Sequence, residues 1–421
     1  MSKVGVENLT RRRGERGGAG EDRGDGMKNG WPTKTIGEVL QKTDTVNPLQ
    51  SPQVEFDYID VSSVSDATFQ IETTQRLKGK DAPSRARKLV RANDILFATI
   101  RPTLQRIAVV PEHLDKQVCS TGYFVLRPKS GIDHRFVFYF LFTEDFTGQM
   151  ECLQKGASYP AVTDGDVKAQ TIPVPPLPEQ RRIVGILDEA FEGIAAAKAN
   201  AEKNLQNARA LFDSHLQSVF SHRGEGWVDR TLDQVCVVER GSSPRPIKNY
   251  FTTDPDGVNW IKIGDTEEGG KYVFSTAQKI TPEGAKQSRF VKEGDFILTN
   301  SMSFGRPYIM KTSGYIHDGW FVLRLNISID TDYFYYLLSS RFVQSQFSQL
   351  ASGSVVKNIS GNLVKKAVLP IPPLSHQHVI VQKLSEISAE TQRLASLYQQ
   401  KLTALDELKK SLLHRAFSGR L

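Results

Sequence analysis

Cysteine is scarce in this chain of 421 residues. The three present, Cys119, Cys152 and Cys236, are far apart and odd in number, which excludes a disulfide framework and any CxxC zinc pattern. Long apolar runs are also missing. Nothing approaches about eighteen consecutive apolar residues, and the polar N-terminus has no apolar signal core, so the chain reads as cytoplasmic with no membrane partner. Nucleotide and catalytic boxes are absent too. There is no GxGxxG, and Gly264-Asp265-Thr266-Glu267-Glu268-Gly269-Gly270-Lys271 fails as a phosphate loop, because an extra glycine breaks the spacing and no Ser or Thr follows the lysine. No Asn- or Asp-Pro-Pro-aromatic box for methylating a base amino group occurs. His376 and His378 read as polar residues of a first helical turn rather than as a metal site, and no nucleophile stands at a recognisable spacing from a base. Charge of one sign is in only mild excess, Lys and Arg at 54 against Asp and Glu at 47, for a net +7. That balance permits a polyanionic partner without requiring one.

What is present is a repeat. Residues 172–187 read Ile-Pro-Val-Pro-Pro-Leu-Pro-Glu-Gln-Arg-Arg-Ile-Val-Gly-Ile-Leu, and 197 positions on, from Leu369, the chain reads Leu-Pro-Ile-Pro-Pro-Leu-Ser-His-Gln-His-Val-Ile-Val-Gln-Lys-Leu. Each copy is a proline-stiffened, extended lead-in followed by a helix start. Pro178 suits a first turn, where its missing N–H has no partner to lose, and Glu179 complements the positive helix end. In the second copy Ser375 is a residue type that caps a helix.

Apolar residues then recur three and four apart. The first stripe is Ile183, Leu187, Ala190, Ile194, Ala197, Ala201, Leu205, Ala208, Leu211, His215, Val219. The second, in the same register, is Ile380, Leu384, Ile387, Thr391, Leu394, Tyr398, Leu402, Leu405, Leu408, Leu412, Ala416. Without interior proline each helix extends over about 40 residues, roughly 60 Å. Helices of that length cannot bury a stripe on one small domain, so they are expected to pair with each other. The connectivity makes that pair antiparallel, a coiled coil with pseudo-two-fold symmetry.

The organisation predicted is therefore α+β. Residues 1–30, glycine-rich with mixed charges, form a disordered extension, dispensable ahead of Met27. A first mixed α and β domain covers 31–171, a lead-in and long helix 172–222, a second domain 223–368, and a second lead-in and helix 369–421. The two domains are diverged copies: Trp31 matches Trp227, Asn93-Asp94-Ile95-Leu96-Phe97 resembles Gly294-Asp295-Phe296-Ile297-Leu298, and Gly122-Tyr123-Phe124-Val125-Leu126-Arg127 aligns with Gly319-Trp320-Phe321-Val322-Leu323-Arg324. Runs 106–110, 123–126 and 260–263 read as strands, and 136–142 and 333–338 as short buried helices.

The strongest chemical signal is local charge. Between 76 and 106 stand Arg76, Lys78, Lys80, Arg85, Arg87, Lys88, Arg91, Arg101 and Arg106 against only Asp81 and Asp94. Such a density suits phosphates. Ser84, Thr99 and Thr103 are interleaved as donors to phosphates or base edges. In the second domain a sparser set comprises Ser242, Ser243, Arg245 and Lys248, then Lys262 and Asp265, then Ser301, Ser303 and Arg306. Late loops add Tyr159 in the first domain and Ser354, Lys357 and Asn358 in the second.

The lead-in Pro-Pro-Leu-Pro-Glu-Gln-Arg-Arg-Ile-Val, the long helix and the cycle of domain, helix, domain, helix resemble the DNA-specificity subunit of type I restriction-modification systems over roughly residues 31–421. Asp81-Ala82-Pro83-Ser84-Arg85-Ala86-Arg87, Thr99-Ile100-Arg101-Pro102 and Gly241-Ser242-Ser243-Pro244-Arg245-Pro246 resemble segments of that family's target-recognition domains. The second lead-in departs from the pattern at Ser375-His376-Gln377-His378. The resemblance implies a subunit that performs no chemistry. Each domain would read one half of a split site on double-stranded DNA, and the paired helices would set the spacing. Two adenine-N6 methyltransferase subunits would dock on the helices, with Pro178, Glu179, Gln180, Arg181 and Gln377 as the candidate contacts. A translocase and nuclease subunit would join them, and S-adenosylmethionine, ATP and Mg would belong to those partners. A stand-alone bipartite DNA-binding or regulatory protein remains the alternative, and an enzyme in its own right would need a carboxylate cluster or cofactor box that the chain does not display.

Overall fold

The structure, a computed structural model, describes residues 30–267, 269–300, 305–351 and 361–421. The extension expected over 1–30 therefore lies, Gly30 apart, outside the described residues. The chain forms two compact units: the described residues up to Ala197 together with Ala404–Leu421, and Lys198–Thr403.

In the first unit the predicted strands form as Ile107–Val109 and Tyr123–Leu126. Both pair antiparallel with Ile95–Ala98, all four of whose residues are buried, as its unbroken apolar run requires. A second sheet orders Gln75–Lys78, Glu55–Ile59, Val118–Ser120 and Ala86–Leu89. The aromatic run begins two residues earlier than expected, as helix His134–Phe140, because the Asp133 carboxylate caps it by accepting from the Arg135 and Phe136 N–H groups. At the base, Thr33–Thr35 pairs antiparallel with Thr171–Pro173, which closes the domain where the lead-in departs.

The second unit repeats this frame with more strands. Val228–Thr231 pairs with Val368–Ile371, and Phe296–Thr299 lies between Trp320–Leu325 and Pro307–Met310. The predicted strand at 260–263 forms as Val258–Ile261, in a second five-stranded sheet, and its tail turns into a short 3-10 segment at Ile263–Asp265. In both units one buried carboxylate ties a turn to a strand end. Asp94 accepts from the Arg91 N–H at 2.8 Å and from Arg127 at 2.8 Å; Asp295 accepts from the Lys292 N–H at 3.1 Å and from Arg324 at 3.2 Å.

The long helices run Leu177–Ser221, 45 residues, and Leu374–Phe417, 44 residues. Pro176 O accepts from the Glu179 and Gln180 N–H groups, and Pro373 O from those of His376 and Gln377, so each helix starts one residue past its last lead-in proline. Ser375 consequently lies inside the first turn and does not cap. In the first unit the start of the first helix, Ile183 and Leu187, shares a core with the end of the second, Leu413, Ala416 and Phe417. In the second unit the end of the first helix, Leu216 and Phe220, shares a core with Leu384 near the start of the second. Within each unit the helices thus meet start to end, as the antiparallel reading requires.

One part of the stripe differs. Leu211 and Leu408 are 56% and 46% exposed, and the half-buried Phe212 and Lys409 beside them turn inward, followed by the buried Leu216 and Phe220 in the first helix and by Leu413, the stripe's own Ala416, and Phe417 in the second. A period of 3.6 drifts away from a strict three-four alternation, and in these last turns the helix packs on a domain as well as on a helix. Phe212 meets Tyr336 in a tilted pair at 6.0 Å between ring centroids, and at the equivalent place Lys409 Nζ lies 4.8 Å from the Phe69 centroid and 5.2 Å from that of Phe191.

The lead-in glutamines join these parts. Gln180 Oε1 accepts from the Asp133 N–H at 2.8 Å while its Nε2 donates to Pro175 O at 2.8 Å and to Gly131 O at 3.3 Å; Gln377 accepts from the Asp330 N–H at 2.8 Å and donates to Pro372 O at 2.8 Å. Both side chains are 1% exposed. Gln180→Ala removes the partner of the half-buried Asp133 N–H and of the buried Pro175 carbonyl, so a destabilisation of roughly 1–3 kcal/mol is expected. Urea unfolding of the full chain, with amide exchange across 131–136, measures it, and unchanged exchange at Asp133 would rule the bond out as a fastener.

Candidate nucleic-acid interface

The basic segment 76–106 divides into side chains engaged within the domain and side chains free at its surface. Arg76, on strand Gln75–Lys78, pairs with Asp57 at 2.8 Å and Glu55 at 3.4 Å. Lys88 turns inward, its Nζ donating to Tyr123 O at 2.6 Å and Asp164 at 3.1 Å. Arg87 donates to Ala86 O at 2.9 Å, Arg106 donates to Val64 O at 2.8 Å, and Arg91 approaches Asp44 at 3.5 Å. Thr99 is buried and donates to Gly122 O at 3.1 Å. Lys88, Arg106 and Thr99 therefore hold the domain together rather than face a ligand, which corrects the expectation for them. Lys78, Ser84, Arg85 and Arg101 are exposed. Ser84 and Arg85 form the turn that enters strand Ala86–Leu89. Among the described residues no carboxylate pairs with Lys78, Arg85 or Arg101.

Arg101 and Tyr159, far apart in sequence, come together. The guanidinium carbon lies 5.1 Å from the Tyr159 ring centroid, and the ring itself is 71% exposed. Both sit just past the Ala98 end of strand Ile95–Ala98, the end away from Asp94 and Arg127. Thr99 and Gly122 continue that ladder through Thr99 N–H to Gly122 O at 2.9 Å, and Arg101 N–H donates to Pro160 O at 2.7 Å.

The second domain places its candidates at the same end of the equivalent strand pair. Asn300 N–H donates to Gly319 O at 2.8 Å, and Asp318, the residue before that glycine, organises the loop opposite. Its carboxylate accepts from the Ser243 hydroxyl at 2.9 Å and from Arg245 at 3.0 Å. Ser242 donates to Gln287 O at 2.9 Å, so it too fixes the loop. Lys248 is exposed beside this cluster, with Arg245, Lys248 and Asp318 among the residues that line one open cleft. Asp265 accepts from the Lys262 N–H at 2.7 Å and the Ala277 N–H at 3.0 Å, which makes it a turn fastener. Arg306 is half-buried and its N–H donates to Thr299 Oγ1 at 2.9 Å. The expectations for Ser301, Ser303, Ser354, Lys357 and Asn358 fall outside the described residues.

Asp318 escaped the sequence reading. An acid looks out of place in an anion-binding set, although its position directly before the repeated Gly-aromatic pattern marked it. Burial pushes its carboxyl up, but the Ser243 hydroxyl, its own backbone, His317 and Arg245 together hold it below the usual carboxylate range. His317, whose Nδ1 accepts from the Gly319 N–H at 2.8 Å, is pushed below the usual imidazole range by burial, with Lys262 adding to the effect and Asp318 opposing it.

Of the lead-in residues, Gln180 and Gln377 have their amides engaged inside the chain, and neither presents a side chain to a partner. Pro178 and Arg181 are exposed, and Glu179 pairs with Arg182 at 2.7 Å. Arg181 borders a cleft of about 540 Å³ in the first unit, together with Arg91, Arg127, Lys129, His134 and Leu177. No group of three or more metal-ligating side chains occurs among the described residues, and His378 faces Asp330 at 3.6 Å.

A family model described as a type I restriction modification DNA specificity domain matches residues 28–206 and again 224–403. The chain is similar to the type I restriction enzyme StySPI specificity subunit of Salmonella potsdam, 22% identical over 328 residues, spanning 72% of this chain and 69% of that one. It is also similar to the solved HsdS subunit from Thermoanaerobacter tengcongensis, with 28% identity and a TM-score of 0.66 over 94% of this chain and 98% of that one. A chain solved in work on complex assembly and conformational transition of the type I R-M system superposes with a TM-score of 0.85 and 28% identity, covering 93% and 99%.

The depressed His317 generates a pH dependence. A folded pKa below the ordinary 6.5 means that the unfolded chain binds more protons, so the stability of the second unit is whole above about pH 6.5 and falls as pH drops towards the folded pKa. Urea unfolding at about pH 7 and pH 5 is expected to show a smaller loss for His317→Gln than for the parent chain. Equal losses would assign the acid sensitivity to other groups.

Proposed function

The chain belongs to the type I restriction-modification DNA specificity family, and from that premise we propose that its two domains each read one half of a bipartite site on double-stranded DNA. It is a DNA-recognition subunit of such a system and is itself non-catalytic. The observation that carries the bipartite reading is the repeated polarity of the domains. In each, the helix attachment and the buried Asp–Arg pair lie at one end of the central strands, and a set of candidate contacts lies at the other: Arg85, Arg101 and Tyr159 in the first domain, Ser243 and Arg245 in the second.

In this reading the long helices set the spacer between the half-sites, because a continuous helix of 45 residues has a fixed length of roughly 68 Å. The coiled coil and its lead-ins also dock two adenine-N6 methyltransferase subunits, for which Pro178, Glu179 and Arg181 remain the candidate contacts. Translocase and nuclease subunits complete the assembly. S-adenosylmethionine, ATP and Mg are the partners' cofactors. No helix among the described residues is long and apolar enough to cross a membrane, and we place the protein in the cytoplasm with its DNA.

Two outcomes test this. Exchanging residues 31–171 for the first domain of a relative with a different site is expected to change one half of the methylated sequence and leave the other intact; a change in both halves would sink the division of labour. Lys78→Ala with Arg85→Ala is expected to make the dependence of log K on log salt shallower by roughly one unit per lost phosphate contact. Lys88→Ala, an inward lysine, is expected to leave that slope unchanged. If the double variant kept the parent slope, these two side chains would not meet the phosphates.

A further inference from the structure

We propose that Arg101 is the base-reading side chain of the first domain and that it selects a guanine in the half-site this domain contacts. The inference rests on the reading of the domain as a DNA reader. Arg101 and Gln105 are non-glycine residues in the left-handed region, at φ 52° and 50°, and they bracket a single 3-10 turn, Pro102–Leu104. A long side chain on such a backbone is strained where glycine would not be, so the strain persists only where the surroundings over-determine it. The surroundings here are backbone bonds: Arg101 N–H to Pro160 O at 2.7 Å, Leu104 N–H to Arg101 O at 2.9 Å, and Gln105 N–H to Pro102 O at 3.0 Å. Glycine would make these same bonds with less strain. What this position supplies beyond glycine is the guanidinium.

That guanidinium is held and yet unoccupied by any carboxylate among the described residues. Its carbon lies 5.1 Å from the centroid of the exposed Tyr159 ring, and Nη2 makes a long contact to Ser158 O at 3.5 Å. A cation held against a ring face by its quadrupole keeps N–H donors that the ring does not use. A planar edge with two parallel N–H donors matches O6 and N7 of guanine in the major groove. A phosphate contact asks for charge near an oxygen and no particular plane, which Lys78 and Arg85 supply from unbraced side chains. The brace on Arg101 separates the two roles.

The test uses the full chain expressed with its methyltransferase subunit, with genome-wide mapping of N6-methyladenine as the readout. The parent complex is expected to give a bipartite motif with one G·C pair that both Arg101→Ala and Arg101→Lys relax, losing roughly ten- to a hundredfold of discrimination there and none elsewhere. Tyr159→Phe is expected to keep the motif, and Tyr159→Ala to relax the same base pair. Retention of the parent motif by Arg101→Lys, a relaxed pair other than G·C, or a uniform weakening with the motif intact would each overturn the assignment. If Arg101→Ala abolishes methylation, competition binding of that complex to duplexes carrying each base pair at this position replaces the map. Equal binding to all of them supports the assignment, and a surviving preference for G·C overturns it. A parent chain that gave no bipartite pattern would instead overturn the reading of the domain itself.

Discussion

A buried glutamine amide fixes each domain to its long helix. An amide in that position has to satisfy both its carbonyl and its NH2 group without water, and the partners that do so, an N-cap backbone N–H and a lead-in proline carbonyl, belong to two different elements. The proline matters because its ring stiffens the lead-in that presents the carbonyl. The cap matters because its aspartate already orients the first turn of the aromatic helix behind it. Helix start, lead-in and domain helix are thereby held in one geometry, and the aromatic cores form around it. Unpairing either side costs more than the bond contributes, which gives the joint its rigidity.

Much of the plan was legible in the sequence. The lead-in repeat, the apolar spacing of the helices and the matching of the two domains all came from patterns longer than a few residues, and such patterns record which side faces a core. The glutamines were visible too, but their role was not. A polar residue in a repeated motif looks like a contact for a partner when only the sequence is known, and its burial is a three-dimensional fact. The last turns of the helices misled for a different reason. Leu211 and Leu408 continue the three-four pattern, yet the helix there has a domain beside it, and the face it buries swings to Phe212 and Lys409.

The charged segment was legible in bulk and not in detail. Composition marks 76–106 as basic, but Arg76, Lys88 and Arg106 meet acceptors that come from distant strands and loops, Asp57, Asp164 and Val64 among them. Only the fold decides which cations remain outside. The same holds for Arg101 and Tyr159, whose meeting depends on Ile100 bridging to Ala161. In the second domain the equivalent tip is built differently: a carboxylate, Asp318, holds both a serine and an arginine. One frame thus supports two chemistries.

The strand Ile95–Ala98, four residues and roughly 13 Å long, stands between the Asp94 end and the Thr99 end of the first domain. Its residues are fully buried and change little without cost, so it works as an insulator in heredity as well as in space. Substitutions accumulating in the loops past Ala98 leave the glutamine joint beyond Asp94 untouched. Lineages can therefore diverge at the tip of a domain while inheriting its attachment unaltered, and a new tip does not need a compensating change at the base.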